Sequence, residues 1–150
     1  MKHAAASPGR SFILRLEDGE VLHEQLESFA FDNGIRAASV IAVGGADHGS
    51  RLVVGPRDGR VSPVEPMHHE LEGVHELSGS GTIFPDEDGA PLLHMHASCG
   101  RAGSSVTGCV RAGIRVWLIM EVVIHEMACS EALRRQDPVN GFALLDPEGG

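Results

Sequence analysis

The stretch LLHMHASCGRAGSSVTGCVRAG, residues 92–113, decides how the chain folds. Residues 92–98 read as a strand, 99–104 (CGRAGS) as a turn, and 105–110 as a second strand. Side chains two apart on a strand share a face, so His94 and His96 point the same way. A simple hairpin with Ser98 opposite Ser105 sets His96 against Thr107 and His94 against Cys109. Directly opposed Cβ atoms of an antiparallel pair lie about 4.5–5.5 Å apart. Two imidazoles and a thiol then converge on one face of neighbouring strands, a three-ligand metal site with an open position. Such a set suits a divalent ion, zinc first, with iron or nickel as alternatives. The opposing reading is that the three side chains merely pack, since a free cysteine is also an ordinary core residue.

Upstream of the hairpin, residues 11–16 (SFILRL) alternate as a strand and 17–20 (EDGE) turn the chain. Over 21–31 the apolar Leu22, Leu26, Phe29 and Ala30 recur at helical spacing, and Asn33-Gly34 closes that helix. Residues 36–44 and 48–55 read as strands, with Gly44-Gly45 breaking or bulging the first. Pro63 and Pro66 keep 61–67 out of a central strand. One or two strands fill 68–84, where Gly79 and Gly81 mark a bulge or a close backbone approach. Downstream, 114–126 (IRVWLIMEVVIHE) is too β-branched for a helix and reads as a long strand. The tail holds a short helical turn before Pro138 and then an extended GFALLDP. Many strands and one helix give an α+β domain with a mostly antiparallel central sheet. One helix covers only part of a sheet face, so oligomer contacts are expected to cover the remainder. The expected division is a flexible N-terminus, 1–10, and a single domain, 11–150.

With 150 residues, the chain is long enough for one domain with a real core. No apolar run approaches the ~20 residues of a membrane span, and MKHAAASPGR lacks the apolar segment of a secretory signal. Three cysteines, at 99, 109 and 129, form no CxxC and leave one unpaired in any disulfide scheme, which fits a reducing, cytoplasmic setting. The net charge is −9, with 12 basic residues against 21 acidic ones, and Lys2 is the only lysine. Polyanion binding rests on phosphate neutralisation by Lys and Arg, so tight autonomous DNA binding is disfavoured. Arg101, Arg111 and Arg115 still leave room for a local basic patch.

Other residues are candidates to extend the site. His48 follows the Gly-Gly break and His75 sits on a strand of the same sheet, so either is a potential further ligand. His68 and His69 point to opposite faces and cannot share one site. Glu121 interrupts WLIMEVVI and is expected to be paired. It is read either as a structural carboxylate bonded to Arg115 or backbone amides, or as an orienting partner or general base beside the metal. Cys99 has only Arg101 nearby to lower its pKa and reads as structural. No phosphate loop, GxSxG or HExxH is present.

Taken together, LLHMHASCGR, VTGCVRAG and EVVI resemble the plants-and-prokaryotes conserved (PPC) domain, in its stand-alone prokaryotic form. The likeness runs from Ser11 to about Glu126 and includes RAASVIAVGGADHGSRL and HELSGSGTI. It implies an α+β fold assembled as a homotrimer, with a metal held by histidines of the hairpin in some members. Many relatives have the histidine of a GGHL motif where this chain has Cys109 in TGCV. The DNA-binding role of the family belongs to plant members with AT-hooks, and this chain has no RGRP-type hook. The resulting expectation is a metal-binding homotrimer serving as a DNA-associated or regulatory module. The alternative is a metal-dependent enzyme acting on a small molecule, with Glu121 or a nearby histidine as base.

Overall fold

Alternation at period two decides which side of each strand is buried, and one helix then selects the face it covers. The computed structural model describes every residue except Cys129 and Gly150. Its main strands are β1 (Ser7–Glu17), β2 (Ala38–Ala46), β3 (Arg51–Pro56), β4 (Pro66–Glu70), β5 (His75–Pro85), β6 (Pro91–Arg101), β7 (Ser104–Cys109) and β8 (Val116–Ala128). They form one sheet in the order β1-β8-β2-β5-β6-β7-β3-β4, and every neighbouring pair is antiparallel. The α+β class with a mostly antiparallel sheet and one main helix is therefore the fold. No helix among the described residues is long and apolar enough to cross a membrane.

The helix α1 (Leu22–Asp32) buries Leu22, Leu26 and Ala30. It lies over β6 and the short 3₁₀ turn Val110–Ala112. Glu27 ties it there by accepting a hydrogen bond from the Leu93 amide at 2.8 Å. Its end follows the sequence signal. Gly34, at φ +63°, lets the Ile35 amide reach the Ala30 carbonyl and its own amide reach that of Phe31, which satisfies two orphaned carbonyls. Under α1 the sheet contributes Val40, Ala42, Leu77, Ile83, Leu93, Met95, Met120, Val122 and Ile124 to one core. Replacing a fully buried leucine such as Leu26 by alanine costs roughly 2–5 kcal/mol.

Gly79 and Gly81 mark a close approach, not a bulge, because β5 keeps an unbroken register with both neighbours. A Cβ at Gly81 would lie 2.5 Å from the His94 carbonyl oxygen and the Met95 Cβ. The bulge falls at Gly44-Gly45, where β8 shifts register and Leu118 takes φ +64°.

Two segments differ from expectation. The first strand begins at Ser7, before Ser11, because Arg10 grips Glu126 through its backbone amide and its guanidinium. The tail forms no helical turn. Instead β9 (Leu133–Gln136) and β10 (Ala143–Asp146) make a separate hairpin. Asp137 shapes its bend by accepting hydrogen bonds from the Val139 and Asn140 amides, which favours a turn over a helix. Cys129, one of the three cysteines, lies outside the described residues.

Candidate metal centre

The site stands on the sheet face opposite α1, at the junction of β6 and β7. A two-residue turn joins these strands, with Ala102 at φ 49° and Gly103 at φ 84°, both left-handed as a tight hairpin of this hand requires. That turn is shorter than the six-residue break expected over 99–104, and it moves the register. Ser98 faces Thr107, and His96 faces Cys109 directly. His94 lies one step beyond the end of β7, on the diagonal from Cys109. The shift is two residues, so all three side chains keep to one face.

The two imidazoles meet edge to face with their Nε2 atoms 3.3 Å apart. Each Nε2 and the Cys109 Sγ lie within 4.8 Å of one another. Two nitrogens held about 2.0–2.1 Å from a tetrahedral zinc are separated by roughly 3.3–3.4 Å, so the two imidazoles are spaced for such an ion, with the Cys109 sulfur on the same side. Burial, followed by the charges of Arg134, His96 and Arg111, pushes His94 below the ordinary imidazole pKa. That favours the neutral ring a metal needs. Cys99 points into the core from the same strand, and burial raises its thiol to about 11, which makes it structural.

Gly108 brings the third wall. A Cβ there would lie 2.4 Å from the Val53 carbonyl oxygen, so glycine is what lets β3 approach β7 beside Cys109. The β3–β4 hairpin thus borders a cavity of about 530 Å³, with Val53, Pro56, Val64 and Pro66 on one side. Gly55, Gly59, Arg111 and Phe142 join the lining around His94, His96 and Cys109. Phe142 comes from the tail, whose bend is tied to the β3–β4 loop by a bond from the Ser62 hydroxyl to the Val139 carbonyl.

Behind His94 the same tail sends in Arg134. It is buried, donates to the Thr82 hydroxyl at 3.0 Å, and stacks over Phe84. Its Nε has no acceptor among the described residues. Arg111, Arg134 and Phe142 were missed as site residues, because only Arg111 is near the ligands in sequence. The remaining candidates stand elsewhere. The His48 Nδ1 accepts from the Gly73 amide and the His75 Nδ1 bonds the Gly73 carbonyl. On β5, His75 is five residues from Ser80, the partner of His96, roughly 16 Å along the strand. Glu121 is exposed on β8, three strand spacings or about 14 Å from β6, and Arg115 bonds the Gly19 carbonyl instead. The three arginines do not converge either, since Arg101 bonds the Val74 carbonyl while Arg111 lines the cavity.

Residues 3–128 match the family model of the Plants and Prokaryotes Conserved (PCC) domain, also abbreviated PPC. The chain belongs to the PPC family. Solved structures agree with this PPC fold. A PPC protein from Pyrococcus horikoshii superposes with a TM-score of 0.81 at 23% identity, covering 97% of each chain. A metal-containing protein from Archaeoglobus fulgidus also gives 0.81, at 29% identity over 96% of this chain and 98% of its own. A candidate DNA-binding protein from Bacteroides thetaiotaomicron gives 0.75 at 18% identity, covering 97% and 99%. No curated protein matches the sequence.

Proposed function

We propose that this PPC protein is a metal-binding module that holds one divalent ion, zinc, on His94, His96 and Cys109, with the fourth position open to the cavity. The observation that carries the proposal is the grouping of two Nε2 atoms, 3.3 Å apart, with one thiol, all within 4.8 Å of one another. The metal-containing Archaeoglobus relative supports the same reading. A reducing, cytoplasmic compartment suits a site that depends on a free thiol.

The module is proposed to work as a homotrimer in a regulatory or DNA-associated role. An apolar area on the outer sheet face, with Ile13, Ile41, Val43 and Trp117 exposed, supports assembly. The DNA part of the role rests on the named relatives and works against a net charge of −9. Direct grip on the duplex would therefore come from a partner. The enzyme reading has less support. It needs a general base within hydrogen-bond reach of the reacting group, yet among the described residues no carboxylate lines the cavity, and Glu121 is about 14 Å from β6.

Metal analysis of the purified protein tests the core of the proposal. About one ion per chain is expected, and none in a His94→Ala, Cys109→Ala double variant. A wild-type protein without metal, or a double variant that keeps it, overturns the proposal. Retention on immobilised duplex DNA at low salt would favour autonomous binding over a partner-dependent role.

A further inference from the structure

The cavity beside the ligands is positively charged in a protein that is otherwise acidic. None of the seven ion pairs among the described residues involves Arg111 or Arg134. Arg134 is 96% buried (4% exposed), and its Nε lacks an acceptor among the described residues. A buried, unpaired cation is costly unless an anion lies within reach. Arg111, which lines the cavity, adds a second guanidinium to the same region. A divalent ion held by two neutral imidazoles and one cysteine sulfur would itself carry net positive charge. Metal loading therefore leaves two guanidiniums and a cationic centre with no carboxylate among the described residues lining the cavity.

The other side chains of the lining are hydrocarbon, from Val53, Pro56, Val64, Pro66 and Phe142, with Gly55 and Gly59 between them. Apolar walls around a few convergent polar groups are the usual form of a small-molecule site. A phosphate or sugar-phosphate would place polar oxygens against these walls. A polyanion would need cations along its length, and only Arg111 lines the cavity.

We propose that the cavity binds a small carboxylate with an apolar body. Its carboxylate takes the open position at the metal and bonds Arg111, while its hydrocarbon part packs against Phe142 and the β3–β4 hairpin. Arg134 acts from behind His94 by its charge. This rests on the metal reading above and adds the chemical class of the ligand.

Cobalt(II) replaces zinc as a visible probe, because the intensity of its absorption bands reports coordination by thiolate and a fourth ligand. Benzoate is the test carboxylate, benzyl alcohol its uncharged counterpart, and acetate and inorganic phosphate the anions without an apolar body. Benzoate is expected to shift the cobalt bands saturably, whereas benzyl alcohol leaves them unchanged. Arg111→Gln, at an exposed position, should weaken benzoate about tenfold. Phe142→Ala should weaken benzoate several-fold and leave acetate unaltered. Bands that form but do not respond to benzoate, or respond equally in Arg111→Gln, overturn the ligand proposal while the metal site stands. Phosphate binding as tightly as benzoate overturns the apolar-body part. No cobalt bands at all would overturn the metal reading and this inference with it.

Discussion

The outer face of the sheet has two halves that differ in what covers them. Across β5, β6 and β7 it carries hydroxyls and ligands: Ser78, Ser80, Thr82, His94, His96, Ser98 and Thr107. The tail hairpin and the β3–β4 hairpin rise beside this half and turn it into a cavity. Across β1, β8 and β2 the same face carries Ile13, Val123 and Ile41 in one cross-strand row. Ile13 is 88% exposed and Ile41 53%. No described residue covers Ile13 or Ile41. Their arrangement is what a sheet needs to bury against another copy, while the polar half is shaped to admit something small. On the proposed reading one face separates assembly from ligation, and the two should fail independently.

The largest effect should come from Ile41→Glu. A charge in the middle of the apolar row would be left unpaired in any interface that buries it, at a cost of several kcal/mol. The expected outcome, by light scattering after gel filtration, is a monomer that keeps its metal. Because Ile41 is exposed within the chain, the core itself should tolerate the change. A variant with the mass of the wild type would show that this half is not the interface. Loss of metal along with assembly would show that the halves are coupled.

Gly108→Ala tests the opposite half with a smaller expected effect. The new methyl would meet the Val53 carbonyl at 2.4 Å, which forces β3 away from β7. Overpacking of this kind costs roughly 1–3 kcal/mol. Metal affinity should fall as the wall beside Cys109 shifts, with the oligomer mass unchanged. An unaltered metal affinity would mean that the triad does not depend on that wall.

What the sequence revealed of this site follows from the period-two rule. His94, His96 and Cys109 were legible because two-residue slips preserve the face, so the wrong opposing pairs still gave the right cluster. The register itself was hidden by Ala102. Nothing in a Cys-Gly-Arg-Ala-Gly-Ser run says that alanine, which rarely adopts φ near +50°, will share a two-residue turn with Gly103. Glu121 misled for a different reason. Its apolar neighbours made it look buried, but Ile119 and Val123 share its own outward face, so the whole strand is apolar on both sides there. Arg134 and Phe142 reach the site from a tail hairpin far along the chain, and no local pattern links them to the ligands.

The smallest effect is expected at the rim of the bare half, where Arg10 and Glu126 fasten the edge strand β1 to β8. The guanidinium donates to both carboxylate oxygens, at 2.8 and 2.7 Å, and the Arg10 amide adds a third bond at 3.0 Å. These bonds hold the Glu126 carboxyl down to about 2, from an ordinary 4.5. A depressed folded-state value means that the charged form is favoured on folding. Its stabilisation is therefore complete above about 4.5 and is lost as the pH falls toward 2. Glu126→Gln should lower the melting temperature slightly at neutral pH, since exposed pairs contribute little after solvent screening. The gap to wild type should then close as acid protonates Glu126, with metal content at neutral pH the same in both proteins. A gap that stays constant down to pH 2 would mean that the ion pair contributes nothing. A neutral-pH loss of metal in the variant would show that anchoring β1 reaches across the sheet to the ligands.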